Sequence, residues 1–179
     1  MRRVIHKWFT AWNFDKEERW LNEMAAKGLG LVSVGFCRYE FEDCTPGEYT
    51  FRLQLLDHSP RHPESQKYIE FMETTGVRQV GGMVRWVYFA RESSQGPFEL
   101  FSDNSSRLKY LSRIIQLIAV VGVANLMVGA NNVLLAVLQE NHYNYIGLIN
   151  IALALWCGIG SLRLLRKWKR MKREIQLFE

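Results

Sequence analysis

The stretch IIQLIAVVGVANLMVGANNVLLAVLQ, residues 114–139, contains no formally charged side chain and decides how the rest of the chain is interpreted. About 20 residues of helix cross a hydrocarbon core of about 30 Å, because a helix rises about 1.5 Å per residue. A second uncharged run, residues 141–162, follows Glu140, and its apolar part begins at Tyr145. Since two successive uncharged runs of this length are rare in soluble domains, the sequence favours a two-helix transmembrane hairpin over two buried helices of a soluble bundle.

Basic residues flank the two runs and predict their orientation. Lys and Arg collect on the cytoplasmic side of spanning helices, and the connecting segment ENHYN contains neither residue. Both termini are therefore expected to lie in the cytoplasm, with a short external loop between the spans. The side chains expected to anchor the spans at the lipid head groups are Arg107, Lys109, Arg113, Arg166, Lys167, Trp168, Lys169 and Arg170.

The excess positive charge lies in the C-terminal tail. The chain carries 23 Lys and Arg against 18 Asp and Glu, a formal net charge of +5, and residues 163–179 alone carry a net charge of +5. The remaining residues are balanced, so they lack the basic surplus that a surface for nucleic acid requires. The tail is instead expected to lie along anionic head groups as an amphipathic helix, and no direct binding of nucleic acid is expected.

The residues before the spans show the alternating patterns of an α+β domain, in the order β-α-β-β-α-β, and the last segment forms either one strand or two. The first helix is expected to be capped by Asp15 with Glu18. Period-two alternation on both sides of Pro46-Gly47 predicts a hairpin there, and Gly81-Gly82 is a second candidate turn. This order is typical of a ferredoxin-like (split βαβ) antiparallel sheet with helices on one face.

The patterns together predict the organisation of the whole chain. Within the spans, Asn125, Asn131, Asn132 and Asn150 are expected to hydrogen-bond between helices, and Ala154 with Gly158 permits close helix contact, either within the hairpin or between chains. The predicted segments are a cytoplasmic α+β domain (1–100), a helical linker (101–112), transmembrane helix 1 (113–139), an external loop (140–144), transmembrane helix 2 (145–165) and a basic cytoplasmic tail (166–179).

The segments WLNEMAAKGLGLVSVGFCRYEFEDCTPGEYTFRLQLLD, GG…WVYFAR and ELFSDNSSRL resemble the bacterial family of unknown function DUF2812, over roughly residues 8–110. One departure is Leu29, which stands where members often have Trp. The resemblance implies membrane spans after the domain, and a neighbouring gene that often encodes a PadR-type transcriptional regulator. No catalytic activity is established for the family, so the resemblance carries over no catalytic residues.

The residue types that usually carry chemistry form no recognisable catalytic pattern in this sequence. His58 and His62 lie near Asp57, but Pro residues interrupt the segment DHSPRHPE, so a solvated loop is favoured over a metal site. The three cysteines form no CxxC pair, and a cytoplasmic domain keeps its thiols reduced. The chain is therefore expected not to be an enzyme and to need no metal or cofactor.

Aromatic residues are numerous in the predicted domain and have two interpretations. They pack as an ordinary core, or some of them form a surface that binds a hydrophobic ligand or a protein partner. The candidate ligand or partner surface consists of Trp8, Trp12, Tyr39, Tyr49, Trp86 and Tyr88.

The architecture favours a membrane-anchored cytoplasmic regulatory or sensor module, with a PadR-like regulator as the candidate protein partner. Two alternatives remain open: a small-ligand-binding domain that uses the aromatic surface, and an accessory subunit of a larger membrane complex. The sequence does not determine the oligomeric state.

Overall fold

In the computed structural model, which describes residues 2–101, 103–138 and 145–178, six strands and four α-helices form two separate units, Met1–Ser102 and Asp103–Glu179. The first unit is α+β, and the second is a two-helix hairpin. The elements of the first unit are β1 (Arg2–His6), α1 (Phe14–Ala26), β2 (Leu29–Gly35), β3 (Arg38–Asp43), β4 (Tyr49–Leu55), α2 (Pro63–Thr74), β5 (Val77–Met83) and β6 (Trp86–Glu92), with short 3-10 helices at Ala11–Asn13 and Ser93–Gln95.

The first unit repeats one βαββ arrangement twice. The first half forms an antiparallel sheet in the order β1-β3-β2, and the second half forms another in the order β4-β6-β5. In each half, the last strand fills the gap between the two strands that the helix connects. The α+β class is as predicted, but the described strands form two three-stranded sheets instead of one, and the ferredoxin-like arrangement is not confirmed.

The hairpin predicted around Pro46-Gly47 is wrong. Both edges of β3 are already paired, with β1 and β2, so β4 pairs with β6 and the Pro-Gly turn connects the two sheets. The actual turn lies at Phe36-Cys37, between β2 and β3, where Cys37 has a φ of 55°. Alternation alone locates strands and leaves their partners open, which is why the sequence pattern selected the wrong turn.

Gly81 lies inside β5 and is not the turn that the sequence predicted. The chain turns three residues later, at Val84-Arg85, before β6 begins. A Cβ added at Gly81 would lie 3.2 Å from the backbone nitrogen of Val34 in β2. The glycine therefore permits the close approach of the two sheets, and a larger side chain would push β5 away from β2.

Strand β6 is buried on both faces, which explains its continuous apolar sequence. Tyr88 and Ala90 belong to the core that α1 shares with both sheets, whereas Val87 and Phe89 face the smaller core under α2. Since successive side chains of a strand point to opposite faces, one strand serves both cores. The larger core consists of Leu21, Met24, Ala25, Leu29, Leu31, Tyr39, Phe41, Phe51, Leu53, Tyr88 and Ala90.

The second unit consists of α3 (Asn104–Leu138) and α4 (Tyr145–Phe178), which pack against each other. Asp103 caps α3, because its carboxylate accepts a hydrogen bond of 2.6 Å from the backbone N–H of Ser106. Both helices are long and apolar enough to cross a membrane. The predicted external loop, residues 140–144, lies outside the described residues.

Glycines hold α3 and α4 close together. A Cβ at Gly129 would lie 2.8 Å from Cγ1 of Ile151 and 2.9 Å from the carbonyl oxygen of Gly147. Gly158, which the sequence selected with Ala154 for close contact, is exposed, and a Cβ there would meet no atom within 4 Å. The close contact within the hairpin therefore lies at Gly129 and Gly147, and Gly158 takes no part in it.

One further prediction for the hairpin needs correction, and the tail is helical. The side-chain amides of Asn125 and Asn150 donate to the carbonyl oxygens of Val121 and Ile146 in their own helices, at 2.8 and 3.1 Å, and not across the hairpin. The tail after residue 165 continues α4 without a break as far as Phe178. The tail is therefore helical, and its position along a membrane surface stays a prediction.

Replacing Gly129 with Leu is expected to destabilise the helix hairpin by about 1–3 kcal/mol, since the added side chain overlaps backbone atoms that no rotamer change can avoid. The measurement is thermal unfolding of the purified chain in a non-ionic detergent, followed by far-ultraviolet circular dichroism. Gly158→Leu is the matched control, because it adds the same side chain at an open position. Equal melting temperatures for the two variants would contradict the close packing at Gly129.

Candidate functional site

An aromatic pocket of about 110 Å³ opens in the first unit. Its wall comes from four places in the sequence: the segment between β1 and α1, the start of α1, the turn between β2 and β3, and the β5–β6 hairpin. Strands from both sheets therefore contribute to one cavity. The wall is mostly aromatic or aliphatic, and it contains one carboxylate, Glu17, and one ammonium group, Lys7.

Glu17 is the polar centre of this pocket. Its side chain is buried, with 8 % of the residue exposed. The hydroxyl groups of Tyr39 and Tyr88 donate hydrogen bonds to the same carboxylate oxygen, Oε1, at 2.7 and 2.5 Å. The hydrogen bonds described for Glu17 leave its other oxygen, Oε2, without a donor. The arrangement fixes the carboxylate and leaves one of its oxygens able to meet a ligand.

The sequence analysis missed Glu17, although a signal was available. The buried stripe of α1 consists of Phe14, Glu17, Leu21, Met24 and Ala25, which recur at the three- and four-residue spacing of one helix face. The segment FDKEERW contains so many charges that Glu17 resembles an ordinary solvent-facing acid. Its position on the apolar stripe, however, predicts that this carboxylate points inward.

The surroundings of the three groups raise the pKa of each above its ordinary value. Burial raises the pKa of Glu17, and the hydrogen bonds from the two phenols only partly oppose this effect. Burial also raises the pKa values of Tyr39 and Tyr88, and the nearby carboxylate raises both further. Both phenols therefore keep their protons at neutral pH and act as donors to Glu17.

Aromatic rings surround the hydrogen-bonded group and hold it in position. The ring of Trp20 meets that of Tyr39 edge-on with centroids 4.9 Å apart, and Phe9 meets Tyr39 edge-on at 6.3 Å. Phe14 and Trp86 lie 6.0 Å apart on another part of the wall. Such edge-to-face contacts restrict ring rotation, so the phenol of Tyr39 keeps its direction towards Glu17.

The structure brings four of the six predicted surface aromatics to this pocket. Trp8, Tyr39, Trp86 and Tyr88 line it. Trp12 is half-buried in the 3-10 helix before α1, and Tyr49 packs against the larger core, so neither belongs to the pocket wall. Some of these aromatic residues serve both as core and as pocket wall, because Tyr39 and Tyr88 belong to the larger core and also line the pocket.

Glu18, the residue next to Glu17, does not form the predicted capping pair with Asp15. Helix α1 begins at Phe14, and Asn13 is its N-cap residue. No side-chain hydrogen bond caps this end of the helix. The carboxylate of Glu18 instead accepts a hydrogen bond from the backbone N–H of Leu53 at 3.0 Å and pairs with Arg52 at 3.2 Å. These contacts attach α1 to β4.

A second polar cluster lies at the beginning of α2, on the surface. Ligand atoms of His58, His62 and Glu64 lie within 4.8 Å of one another, and all three residues are exposed. Nε2 of His58 pairs with Glu64 at 3.2 Å, and Nδ1 of His62 accepts the backbone N–H of Glu64 at 3.3 Å, which caps the helix. These contacts give each group a structural role at the start of α2, and the absence of a metal there stays a prediction.

The predicted membrane anchors lie at one end of the helix hairpin. Gly129 of α3 faces Ile151 of α4, and Gly122 faces Cys157, so the helices run antiparallel and the start of α3 is level with the end of α4. The ammonium of Lys172 also lies 5.2 Å from the ring of Trp168. The anchors at this end are Arg107, Lys109 and Arg113 on α3, and Arg166, Lys167, Trp168, Lys169 and Arg170 on α4.

Residues 13–123 match the family described as Protein of unknown function (DUF2812). The chain belongs to the DUF2812 family. The match covers most of the first unit and continues into α3, and it confirms the resemblance found in the sequence. No curated protein and no solved structure matches the chain. Neither the pocket nor Glu17 therefore receives a role from the DUF2812 description, and both must be interpreted from their own chemistry.

Replacing Glu17 with Gln is expected to stabilise the first unit at neutral pH relative to the wild type. Burial raises the pKa of Glu17, so the folded state binds the proton more tightly than the unfolded state does. The wild type therefore loses stability as the pH rises from the ordinary range of Glu through the raised pKa, and the Gln variant lacks this loss. The stability advantage of Gln should grow across that window and then become constant.

The measurement is urea unfolding of the full chain in a non-ionic detergent, followed by near-ultraviolet circular dichroism over a series of pH values. Glu23→Gln is the control, because Glu23 lies on the exposed face of α1. A difference between Glu17→Gln and wild type that does not change with pH would contradict the proposed burial of an ionisable carboxyl group.

Proposed function

We propose that this chain is a membrane-anchored cytoplasmic regulatory or sensor module that binds a small ligand in the Glu17 pocket. The supporting observation is a buried carboxylate that two phenols hold inside an aromatic cavity. Small-ligand sites usually combine an apolar wall with a few convergent polar groups. A titratable group with a raised pKa inside a cavity is a further property of such sites.

The membrane anchor is supported by what α3 and α4 expose. In the most apolar 18-residue stretch of each helix, only 17 % of α3 and 11 % of α4 is buried. A helix of a soluble core would bury these side chains, whereas a spanning helix presents them to lipid. From Arg113 to Leu138, α3 rises about 38 Å, which exceeds a hydrocarbon core of about 30 Å.

The proposed orientation rests on the basic end of the hairpin. The anchors of α3 and α4 lie at the same end, so a single rule places both helix ends on the cytoplasmic side. Anionic head groups would attract each basic side chain by about 1 kcal/mol. The first unit precedes α3 and therefore lies in the cytoplasm in this proposal.

The proposed activity of the pocket is binding and not catalysis. The hydrogen bonds described at Glu17 come from two phenols whose pKa values are raised. Neither phenol is prepared to release its proton at neutral pH, and the carboxylate is held by them instead of being directed at a nucleophile. These contacts shape a recognition site.

The proposed protein partner is a PadR-like transcriptional regulator. This choice rests on the genes that often neighbour members of the family, and the ligand pocket gives the module a signal that it could transmit. An accessory subunit of a membrane complex is the competing role, because the exposed apolar faces of α3 and α4 also suit contact with other spanning helices.

The chain is expected to sediment with membranes and to keep both termini inside. The test uses variants in which Ser replaces all three cysteines and one new cysteine is introduced, His142→Cys between the spans or Gln95→Cys in the first unit. A membrane-impermeant maleimide applied to intact cells should label the first variant and spare the second until the cells are lysed. Full-length chain in the supernatant of a detergent-free ultracentrifugation would contradict the anchor.

A regulator of the PadR class is expected to co-purify with the chain from cross-linked native membranes. The chain would carry a C-terminal tag, and the comparison is a variant that lacks residues 1–100 but keeps both helices. Loss of the regulator from the truncated variant would support the first unit as its binding site. Stoichiometric co-purification with other spanning proteins through both variants would favour the accessory-subunit role instead.

A further inference from the structure

The ion pairs described in the first unit do not balance the negative charge of Glu17. Among the ion pairs that the structure describes, none includes Glu17, although its carboxylate is buried. A buried carboxylate is strongly destabilised unless it is hydrogen-bonded and paired with a positive charge. The two phenols supply the hydrogen bonds, and the positive charge is the contribution that a ligand could make.

Like the carboxylate, the aromatic wall of the pocket favours a cationic ligand. The ammonium of Lys7 lies over the rings of Trp20 and Phe9, at 4.6 and 5.2 Å from their centroids. The faces of aromatic rings carry negative potential, so they attract ammonium groups most strongly where water is excluded. Lys7 itself is exposed, and it shows that the rings beside the pocket can hold a positive charge.

The rim of the pocket is apolar and exposed to solvent. Trp8 is 63 % exposed and Phe36 is 82 % exposed, and both line the opening. Val84, next to the lining residue Met83, is 80 % exposed at the tip of the β5–β6 hairpin and has a φ of 59°. A β-branched residue in this left-handed conformation is strained, and strain of this kind persists mainly where function requires it.

The dimensions of the cavity limit the group that can enter. Its volume of about 110 Å³ is smaller than the apolar cavity of about 150 Å³ that accepts benzene in a well-studied protein. A trimethylammonium group is smaller than benzene and fits this scale. A longer apolar part of the same ligand would then remain outside, against Trp8 and Phe36.

We propose that the pocket binds an amphipathic organic cation, with its alkylated ammonium group at Glu17 and its apolar part on the rim. This inference rests on the proposed function and names its ligand class. The carboxylate supplies the opposite charge, the phenols orient that carboxylate, and the aromatic wall contacts the methyl groups of the ammonium. Lys7 repels the ligand weakly from the rim, so its removal should strengthen binding.

The test is isothermal titration of the full chain, in a non-ionic maltoside detergent, with three aromatic probes of similar size. Benzyltrimethylammonium is the cation, benzyl alcohol is the neutral probe and benzenesulfonate is the anion. Saturable binding of the cation alone is expected. Glu17→Gln should weaken it at least tenfold, Lys7→Met should strengthen it severalfold, and Glu23→Gln, on the exposed face of α1, should leave it unchanged.

The outcomes separate the ligand class from the proposed function. Saturable binding of benzyl alcohol or benzenesulfonate with no preference for the cation would overturn the cation and leave the pocket as a ligand site. Equal cation affinities in Glu17→Gln and Glu23→Gln would overturn the role of Glu17. No saturable binding of any probe, with the fold confirmed by near-ultraviolet circular dichroism, would overturn both proposals.

Discussion

The hydrogen bonds from Tyr39 and Tyr88 to one oxygen of Glu17 connect three elements that the backbone does not join. Tyr39 lies in the first sheet, Tyr88 lies in the second, and Glu17 lies on α1. The two βαββ halves pair their strands only within themselves, so their union depends on side chains. Three features join the two halves into one unit. They are the shared carboxylate oxygen of Glu17, the common core around α1, and the close contact of β5 with β2 at Gly81.

The energetic balance at this carboxylate explains why its environment is so specific. Hydrogen bonds to a charged group contribute about 1.5–3 kcal/mol each, and removing a carboxylate from water costs several kcal/mol. The two phenols therefore offset a cost of about the same size as their own contribution. Since the protein gains little net stability from an ionised Glu17, a hydrophobic residue would serve a purely structural role better, and this balance supports the recognition role proposed for the acid.

The sequence determined some features because they depend on single residues or on local periodicity. The uncharged runs, the buried stripe of α1 and the aromatic strands all follow from composition and spacing, and four of the six chosen aromatics lie at the pocket. Strand pairing could not be predicted, because β3 pairs on one edge with its neighbour β2 and on the other with the more distant β1, and alternation does not show which strand takes which edge. Glu17 was missed because the many charges of FDKEERW conceal its place on the apolar stripe of α1, and its phenol partners are 22 and 71 residues away.

In the proposed function, the position of Glu17 between the halves gives ligand binding a structural consequence. A ligand shifts a conformational equilibrium only by its difference in affinity between the two states. Any state in which the two halves separate loses one of the phenols and part of the aromatic wall, so it also loses affinity for the ligand. Binding therefore stabilises the joined state by an amount that grows with the ratio of ligand concentration to its dissociation constant. A protein partner that binds only the state with the two halves joined would therefore respond to the ligand without contacting it.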